Sequence, residues 1–541
     1  MSTTTSAPAS DVEHEPASGA PAMTHGEVLE ALSGLLLGML VAILSSTVVS
    51  TSLPKIIGDL GGGQSAFTWV VTATLLATTV STPIWGKFAD LFNRKLLLQT
   101  SLFVFVLGSA LAGFSQSSGQ LITFRVLQGL GAGGLTALSQ VVLADIISPR
   151  ERGRYMGYLG AVMAVGTVGG PLLGGVVTDG IGWRWNFFIG IPLAAVAIAV
   201  IQKTLHLAPR ARRENVRIDY LGTALIAGSV SLLLIWVTLA GDHFDWVSPT
   251  SALMVGGSLL MGVLLVLVER RAAEPVLPMS LFRNRTIALA LVASVAVGVA
   301  MFGTSVFLSQ YMQLARGKTP TVSGLLTIPM MVGLLVSSTI VGQLISRTGI
   351  WKRYMVTGAV VLTVGLALMG TVRYDTAWWE LAVFMALVGM GIGMVMQNLV
   401  LVVQNVLPPR QMGSGSASVA FFRSLGGAIG VSAMGALLAH RVTALVTEGL
   451  AALGVQGNGS GALPNLATLP APVRAVVESA YGEGVGDVFL AAVPLGVIAL
   501  IAIAFLPNRP LGTQSASEQL AEEELAAAGM GVDPEHAGAG R

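Results

Sequence analysis

Long runs of apolar residues recur along the chain and alternate with short polar links. A helix needs about 20 mostly apolar residues to cross a lipid bilayer. Fourteen runs have about this length, namely residues 31–54, 66–86, 96–114, 120–144, 155–178, 184–203, 219–240, 250–268, 287–310, 321–345, 354–371, 378–404, 413–440 and 487–507. Gly, Ser and Thr interrupt many of these runs, and such small residues let helices pack closely in lipid. The pattern predicts an all-α membrane protein with fourteen transmembrane helices.

Composition excludes several other classes of protein. Hydrophobic residues make up 53% of the chain and charged residues only 11%, against about 25% charged in a soluble domain, so a water-soluble globule is excluded. Because cysteine is absent, disulfides and thiolate metal sites are excluded as well. The six histidines are scattered and the net charge is +2. We therefore expect no metal, no cofactor, no enzyme active site and no nucleic-acid partner.

Basic residues alternate between the two sides of the predicted membrane. Every second link carries most of them: residues 86–95, 145–154, 203–218, 269–286, 346–353 and 405–412 hold 19 Lys and Arg, whereas the other links hold seven. Since cytoplasmic links carry the excess of positive charge, this bias predicts a multi-pass protein of the cell membrane with both termini in the cytoplasm.

The chain divides into two similar halves. The link Gly86–Lys95 is echoed by Gly342–Arg353, which also has a Gly at a helix exit and a basic pair soon after. Repeated halves indicate a transporter with its site between them. We predict a disordered tail at 1–29, a six-helix bundle at 30–203, a linker with two inserted helices at 204–286, a second six-helix bundle at 287–507 with a long external loop at 441–486, and a disordered acidic tail at 508–541.

Three segments carry a resemblance to a known family. They are Gly86–Lys95, Leu121–Gly129 with its buried Arg125, and Gly166–Gly175. Together they resemble the major facilitator superfamily, and specifically its fourteen-helix drug:proton antiporter branch. The resemblance implies a monomeric exporter of small lipophilic compounds that works among membrane lipids by alternating access. It also implies the proton gradient as energy source and no bound cofactor.

One position departs from that family. The first helix commonly carries an Asp in a Leu-Asp-x-Thr pattern, but here Ser45 follows Leu44. No Asp or Glu lies near the middle of any of the fourteen runs. An alternative is therefore a lipid or metabolite transporter of the same fold with another coupling ion or no proton coupling.

Polar residues inside the apolar runs are the candidates for transport and coupling. A charge near the bilayer centre is costly and is rarely kept without a use, so Arg125, with Gln128 nearby, and Arg423 are singled out together with Ser45. The alternative for Arg125 is a structural side chain bonded to carbonyls. Arg423 faces either the cavity or a neighbouring helix.

The loop Gly86, Lys87, Asp90, Arg94 and Lys95 is predicted to control conformation. Asp90 is an acidic residue in a basic loop, and the thirteenth run begins at Gly413–Ser416, where free N–H groups and a positive helix dipole end are available. We expect Asp90 to dock there as a latch when the cytoplasmic side is closed. The alternative is an ordinary positive link.

Two further sets complete the candidates. The fifth run contains an antiporter motif that either seals a leak path or serves helix packing: Gly166, Gly170, Pro171, Gly174 and Gly175. Amide and aromatic side chains suited to a loosely binding cavity, or alternatively to ordinary interior packing, are Trp69, Gln140, Gln397, Asn398 and Gln404.

Overall fold

The computed structural model describes residues 25–61, 64–205, 219–241, 244–272, 274–318, 320–454, 470–515, 518–520 and 522. The helices are α1 His25–Asp59, α2 Gln64–Leu91, α3 Arg94–Gly113, α4 Ser118–Ile146, α5 Pro149–Gly180, α6 Trp185–Phe188, α7 Gly190–Thr204, α8 Tyr220–Leu239, α9 Pro249–Glu269, α10 Ser280–Arg283, α11 Arg285–Gln310, α12 Pro320–Leu326, α13 Ile328–Thr348, α14 Lys352–Met369, α15 Trp378–Gln404, α16 Met412–Ala452 and α17 Ala471–Ala504. Apart from one isolated bridge between Ala240 and Phe244, every regular element of this part is helical. The predicted all-α fold is confirmed.

Each of the fourteen apolar runs coincides with helical structure. Among the described residues, twelve helical segments are long and apolar enough, by length and composition, to cross a membrane. The two remaining runs lie in α2 and α5, which are 28 and 32 residues long. The fold is therefore that of a multi-span membrane protein, and the count of fourteen crossings stays a prediction.

Short polar side chains fix where several helices begin. Asn93 Oδ1 accepts hydrogen bonds from the backbone N–H groups of Lys95 and Leu96, at 3.0 and 3.2 Å, and so caps α3. Ser117 Oγ accepts from Gln120 N at 3.3 Å at the start of α4. Such caps satisfy N–H groups that have no partner inside the helix.

Two of the predicted helices are interrupted where a proline follows. The run 184–203 is divided into α6 and α7 at Ile189, and Pro192 cannot donate a hydrogen bond to the carbonyl of Phe188, four residues earlier. The run 321–345 is divided at Thr327, just before Pro329. The interruptions follow from the missing proline N–H, which an apolar run does not reveal.

The two halves repeat the same helix packing. In the first half, α4 packs against α2 and α3, and α1 packs against α5 and α7. In the second half, α15 packs against α13 and α14, and α11 packs against α16 and α17. Each half has its own apolar core, one around Leu102 and Leu138 and another around Leu362 and Val388.

The halves meet along two seams. We call the α2–α16 contact the first seam and the α5–α13 contact the second seam. The inserted helix α8 packs against α9 and against both helices of the first seam. An apolar cleft of about 310 Å³ lies there, between α8, α9 and α16. The inserted helices α8 and α9 therefore lie at the first seam, and in the described part of the chain neither of them packs against the second seam.

Several boundaries differ from those expected. The external stretch 441–486 is mostly helical, because α16 continues to Ala452 and α17 begins at Ala471, with residues 455–469 outside the described part. Helix α1 begins at His25, inside the segment expected as a disordered tail. Residues 1–24 and 523–541, the greater part of both predicted tails, lie outside the described residues.

The start of the predicted acidic tail is held against the second half. Trp351 Nε1 donates a 2.7 Å hydrogen bond to the carbonyl of Arg509, and Asn405 Nδ2 donates one of 3.0 Å to the carbonyl of Pro510. Leu511 is buried. These contacts order the chain beyond residue 508, since they provide partners for backbone carbonyls and a place for an apolar side chain.

Candidate transport site

Asp90 joins the two halves at the end of the first seam that carries the loop Gly86–Lys95. Its Oδ1 accepts a 2.7 Å hydrogen bond from Gly413 N and its Oδ2 accepts one of 2.8 Å from Ser414 N. These N–H groups belong to the first turn of α16, where they lack intrahelical partners and the helix dipole favours a negative charge. The docking expected from the sequence is present, and its role as a conformational latch stays a prediction.

Glycines allow this close approach. A Cβ atom added to Gly86 would lie 2.8 Å from the carbonyl oxygen of Gly413 and would also collide with the side chain of Ala417. A Cβ on Gly413 would in turn collide with the carbonyl of Gly86 and with the Asp90 carboxylate. Both positions therefore need glycine for α2 and α16 to touch.

The other charged residues of the loop have separate partners. Arg94 forms an ion pair with Asp145 at the end of α4 and lies 3.8 Å from Asp90. Lys87 Nζ lies 2.5 Å from a carboxylate oxygen of Glu274, in the link after the inserted helices. The loop is thus tied to α4 and to the inserted pair, in addition to α16.

Lys95 also connects the loop to the first half. Its Nζ donates a 2.7 Å hydrogen bond to the carbonyl of Gln202, near the end of α7. Sequence reasoning singled out the basic residues but missed Asp145 and Glu274, their acidic partners. The sequence gives a weak signal for these partners, since Asp145 lies at the end of an apolar run and Glu274 lies in the link after one.

Three of the predicted cavity residues form a polar contact between the halves. Gln140 Nε2 donates to Gln397 Oε1 at 3.3 Å, and Gln404 Nε2 donates to the carbonyl of Gln140 at 3.2 Å. Gln404 Nε2 also donates to Ser416 Oγ at 2.6 Å. These amides, all buried, join α4 of the first half to α15 and α16 of the second half in this conformation.

The remaining cavity candidates lie elsewhere. Asn398 Nδ2 donates a 2.7 Å hydrogen bond to the carbonyl of Met394 within α15. Trp69 is half-buried in the second turn of α2, whose other end carries Asp90. The structure therefore does not gather Trp69 and the three glutamines into one cavity wall, because they lie toward opposite ends of their helices.

Arg125 and Gln128 pair one turn apart in α4. Arg125 Nη1 donates a 2.6 Å hydrogen bond to Gln128 Oε1, and the two residues are 4% and 1% exposed. Among the described residues, Arg125 Nε and Gln128 Nε2 have no hydrogen-bond partner. The same holds for Nη1 of Arg423 in α16, a residue that is 7% exposed. The interior thus contains buried donors without acceptors.

Ser45 lies at a contact between two helices. A Cβ on Gly190 would lie 2.6 Å from Ser45 Oγ, so this hydroxyl faces the start of α7. An Asp in its place would be enclosed by α7 in this conformation. The position where the related branch commonly has its acid is therefore occupied by a small interhelical residue.

The glycines of α5 form the surface on which α1 packs. Thr47 Oγ1 donates a 2.9 Å hydrogen bond to the carbonyl of Gly166, and a Cβ on Gly170 would collide with the same side chain. A Cβ on Gly174 would lie 2.7 Å from the carbonyl of Val48. Pro171 and Gly175 continue this helix. The glycines thus allow α1 and α5 to pack closely, and such packing is compatible with sealing a leak path.

A buried polar cluster at the external end was not anticipated. Asn186 Nδ2 donates to Ser52 Oγ at 2.7 Å and to Thr178 Oγ1 at 2.6 Å. The cluster joins α1, α5 and α6, and so fixes their external ends to one another. Its only signal in the sequence is an Asn between aromatic residues.

Comparisons with known proteins agree with this architecture. The sequence profile of the Major Facilitator Superfamily matches residues 35–431. An uncharacterized MFS-type transporter of Mycobacterium tuberculosis is 37% identical over 485 residues, which cover 88% of this chain and 69% of that protein. The multidrug transporter protein MdtP of Bacillus subtilis is 34% identical over 420 residues, 77% of each chain.

Solved structures share the fold. The proton:xylose symporter XylE superimposes with a TM-score of 0.60 at 13% identity, over 92% of this chain and 99% of that chain. Together with the family match and the apolar helices, this makes the protein a multi-span membrane transporter of small molecules in a lipid environment, and not an enzyme. The chain belongs to the major facilitator superfamily.

Proposed function

We propose that the protein exports hydrophobic or amphipathic small molecules across the cell membrane by alternating access. The observation that supports this most directly is the Asp90 carboxylate on the first turn of α16. It closes the cytoplasmic end of the first seam through two hydrogen bonds that can break without disturbing either half. A relative at 34% identity is named a multidrug transporter, which favours export of such compounds.

The repeated packing of the two halves supports alternating access. Each half has its own apolar core, so each can move as a unit about the seams. At the Asp90 end the first seam is lined by small residues such as Gly86 and Gly413, whereas farther along it apolar side chains such as Val80 and Phe421 belong to one cluster. We propose that both termini lie in the cytoplasm, on the basis of the 19-to-7 distribution of basic residues, and that the protein is a monomer, as the family resemblance implies.

The energy source that we propose is the proton gradient, in antiport and without a bound cofactor, as the family resemblance implies. A second candidate is transport of a lipid or metabolite without proton coupling. It is favoured by Ser45 at the α1–α7 contact and by the absence of Asp and Glu from the middle of the apolar runs.

Transport by the purified protein in sealed proteoliposomes separates these candidates. A panel of amphipathic dyes is loaded, and dye movement is followed with and without an imposed pH gradient. For proton antiport we expect movement against the dye gradient that a protonophore abolishes. Dye movement that does not depend on the pH gradient supports the second candidate. If no amphipathic dye moves under either condition, the exporter proposal is wrong.

A further inference from the structure

Arg125 and Arg423 are the charged residues nearest to the middle of the fourteen apolar runs. Arg125 lies seven residues from the external start of α4, and Arg423 lies eleven residues from the cytoplasmic start of α16. At 1.5 Å per residue these positions are about 10 and 16 Å from the helix ends. Both side chains are more than nine-tenths buried.

Neither arginine has an acidic partner among the residues that the structure describes. The acids of the helix ends are engaged elsewhere: Asp90 with α16, Asp145 with Arg94, and Asp487 with Arg441. Since no Asp or Glu lies near the middle of any apolar run, the interior of the protein carries uncompensated positive charge. A buried charge is ordinarily paired, and the described part of the chain supplies no acid for these two arginines.

The unsatisfied groups around these arginines are all donors. In the part of the chain described, Arg125 Nε, Gln128 Nε2 and Arg423 Nη1 have no acceptor. Gln128 Oε1, the acceptor of that pair, is already used by Arg125 Nη1. The Arg125–Gln128 pair therefore offers a cation together with two free donors, which matches the oxygen atoms of a carboxylate, sulfonate or phosphate.

We infer that the cargo of this transporter is an anionic amphiphile, with an apolar body and one acidic head group that binds Arg125, Gln128 and Arg423 in turn as it crosses. The inference rests on the proposed export function and specifies its substrate class. Cationic compounds are repelled by the same two arginines. An inside-negative membrane potential favours the exit of an anion, so such a cargo has a driving force even where Ser45 replaces an acid.

Charge selectivity of the unaltered protein gives the first test. Anilinonaphthalene sulfonate and N-phenylnaphthylamine share one aromatic skeleton and differ by the sulfonate, and ethidium provides a cation. Binding of each dye is measured with the protein in nanodiscs, with empty nanodiscs as the blank. We expect the sulfonate to bind about tenfold more tightly than the neutral dye, because one charge-assisted hydrogen bond increases affinity by about that factor. Ethidium binding as tightly as the sulfonate contradicts the inference.

Substitution of the arginines gives the second test. Arg125→Gln and Arg423→Gln should each weaken sulfonate binding about tenfold and leave the neutral dye within about twofold. Arg125→Lys should retain part of the affinity, because it keeps the charge. Arg441→Gln is the matched control, since Arg441 is half-exposed and paired with Asp487 at the external side. Unchanged sulfonate affinity in both Gln variants contradicts the inference.

Transport in proteoliposomes distinguishes this inference from the function on which it rests. Movement of the sulfonate dye, with little movement of ethidium, supports both. Movement of ethidium without the sulfonate overturns the anionic cargo and leaves the exporter proposal intact. If no dye of any charge moves, the exporter proposal itself fails, and the inference fails with it.

Discussion

Asp90, at the cytoplasmic end of α2, accepts a 2.8 Å hydrogen bond from the backbone N–H of Ser414, a residue 324 positions away in the first turn of α16. One carboxylate thereby joins the two halves of the transporter. Its bonds combine a full negative charge with a helix N-terminus, which makes them stronger than neutral hydrogen bonds. The stability of the closed cytoplasmic side should depend on this charge.

Asp90→Asn should open the cytoplasmic side. Loss of the charged hydrogen bonds costs about 2 kcal/mol, which is roughly a thirtyfold shift toward the open state. Because the chain has no cysteine, Ser139→Cys provides a single reporter thiol in α4, at a site that is 2% exposed. We expect faster labelling of this thiol by an impermeant maleimide from the cytoplasmic side. The exposed Glu448 provides a control, Glu448→Gln; an unchanged labelling rate in Asp90→Asn contradicts the latch.

Gly86→Ala should separate α2 from α16. The new methyl group would lie 2.8 Å from the carbonyl oxygen of Gly413, so the helices must move apart and the Asp90 contact is lost. Gly119→Ala is the control, because nothing lies within 4 Å of a Cβ there and alanine ordinarily stabilises a helix by about 0.5–1 kcal/mol. We expect transport to fall in the first variant and to persist in the second, with similar amounts of protein in the membrane. Equal transport in the two variants would show that the close approach is dispensable.

Gly170→Val should impair transport more than membrane insertion. The larger side chain collides with Thr47 of α1, and α1 must be displaced from α5, which disturbs the interior path. The comparison is with Gly58→Ala in α1, where a Cβ meets nothing within 4 Å. Dye transport and the amount of protein in the membrane are measured together. A fall in both by the same factor would indicate that the glycine surface serves packing alone.

Arg94→Gln should destabilise the first half. The variant breaks the buried ion pair between Arg94 and Asp145, and breaking a buried ion pair costs about 3–5 kcal/mol. The paired change Arg94→Met with Asp145→Leu removes both charges and should recover much of that loss. Thermal unfolding of the protein in detergent measures the effect. If the loss of stability in the double variant equals the sum of the losses in the two single variants, the two side chains do not interact directly.

Local sequence patterns were sufficient to predict the helices and one contact of the first seam. The apolar runs predicted the helical segments because burial in lipid requires an apolar surface on every helix, and that requirement is visible residue by residue. The Asp90 contact could also be anticipated, since a lone acid in a basic loop and a Gly-Ser helix start are both local features. Pro192 and Pro329 lie at helix interruptions, but proline alone could not have predicted them, because α2 and α17 continue through Pro83 and Pro494.

The amide contact between Gln140 and Gln397 depended on tertiary structure. The two residues are 257 positions apart, and their meeting requires a definite rotation and height of α4 against α15. An apolar run specifies neither, because in lipid all faces of a helix are apolar and the hydrophobic period is weak. Trp69 is separated from the glutamines for a different reason, since it lies near the start of α2 and they lie toward the opposite ends of α4 and α15.

The sequence by itself determined that the chain is a helical membrane protein, that basic residues concentrate in every second link, and that the apolar runs contain arginines without acids near their middle. Only the tertiary structure decided that Arg94 meets Asp145, that Lys87 meets Glu274, and that Gln128 leaves Arg125 with a free donor. Hydropathy is a property of each segment and can be read in order along the chain. Pairing of polar side chains is set by the packing of segments that are distant in sequence, and it exists only once the helices have assembled.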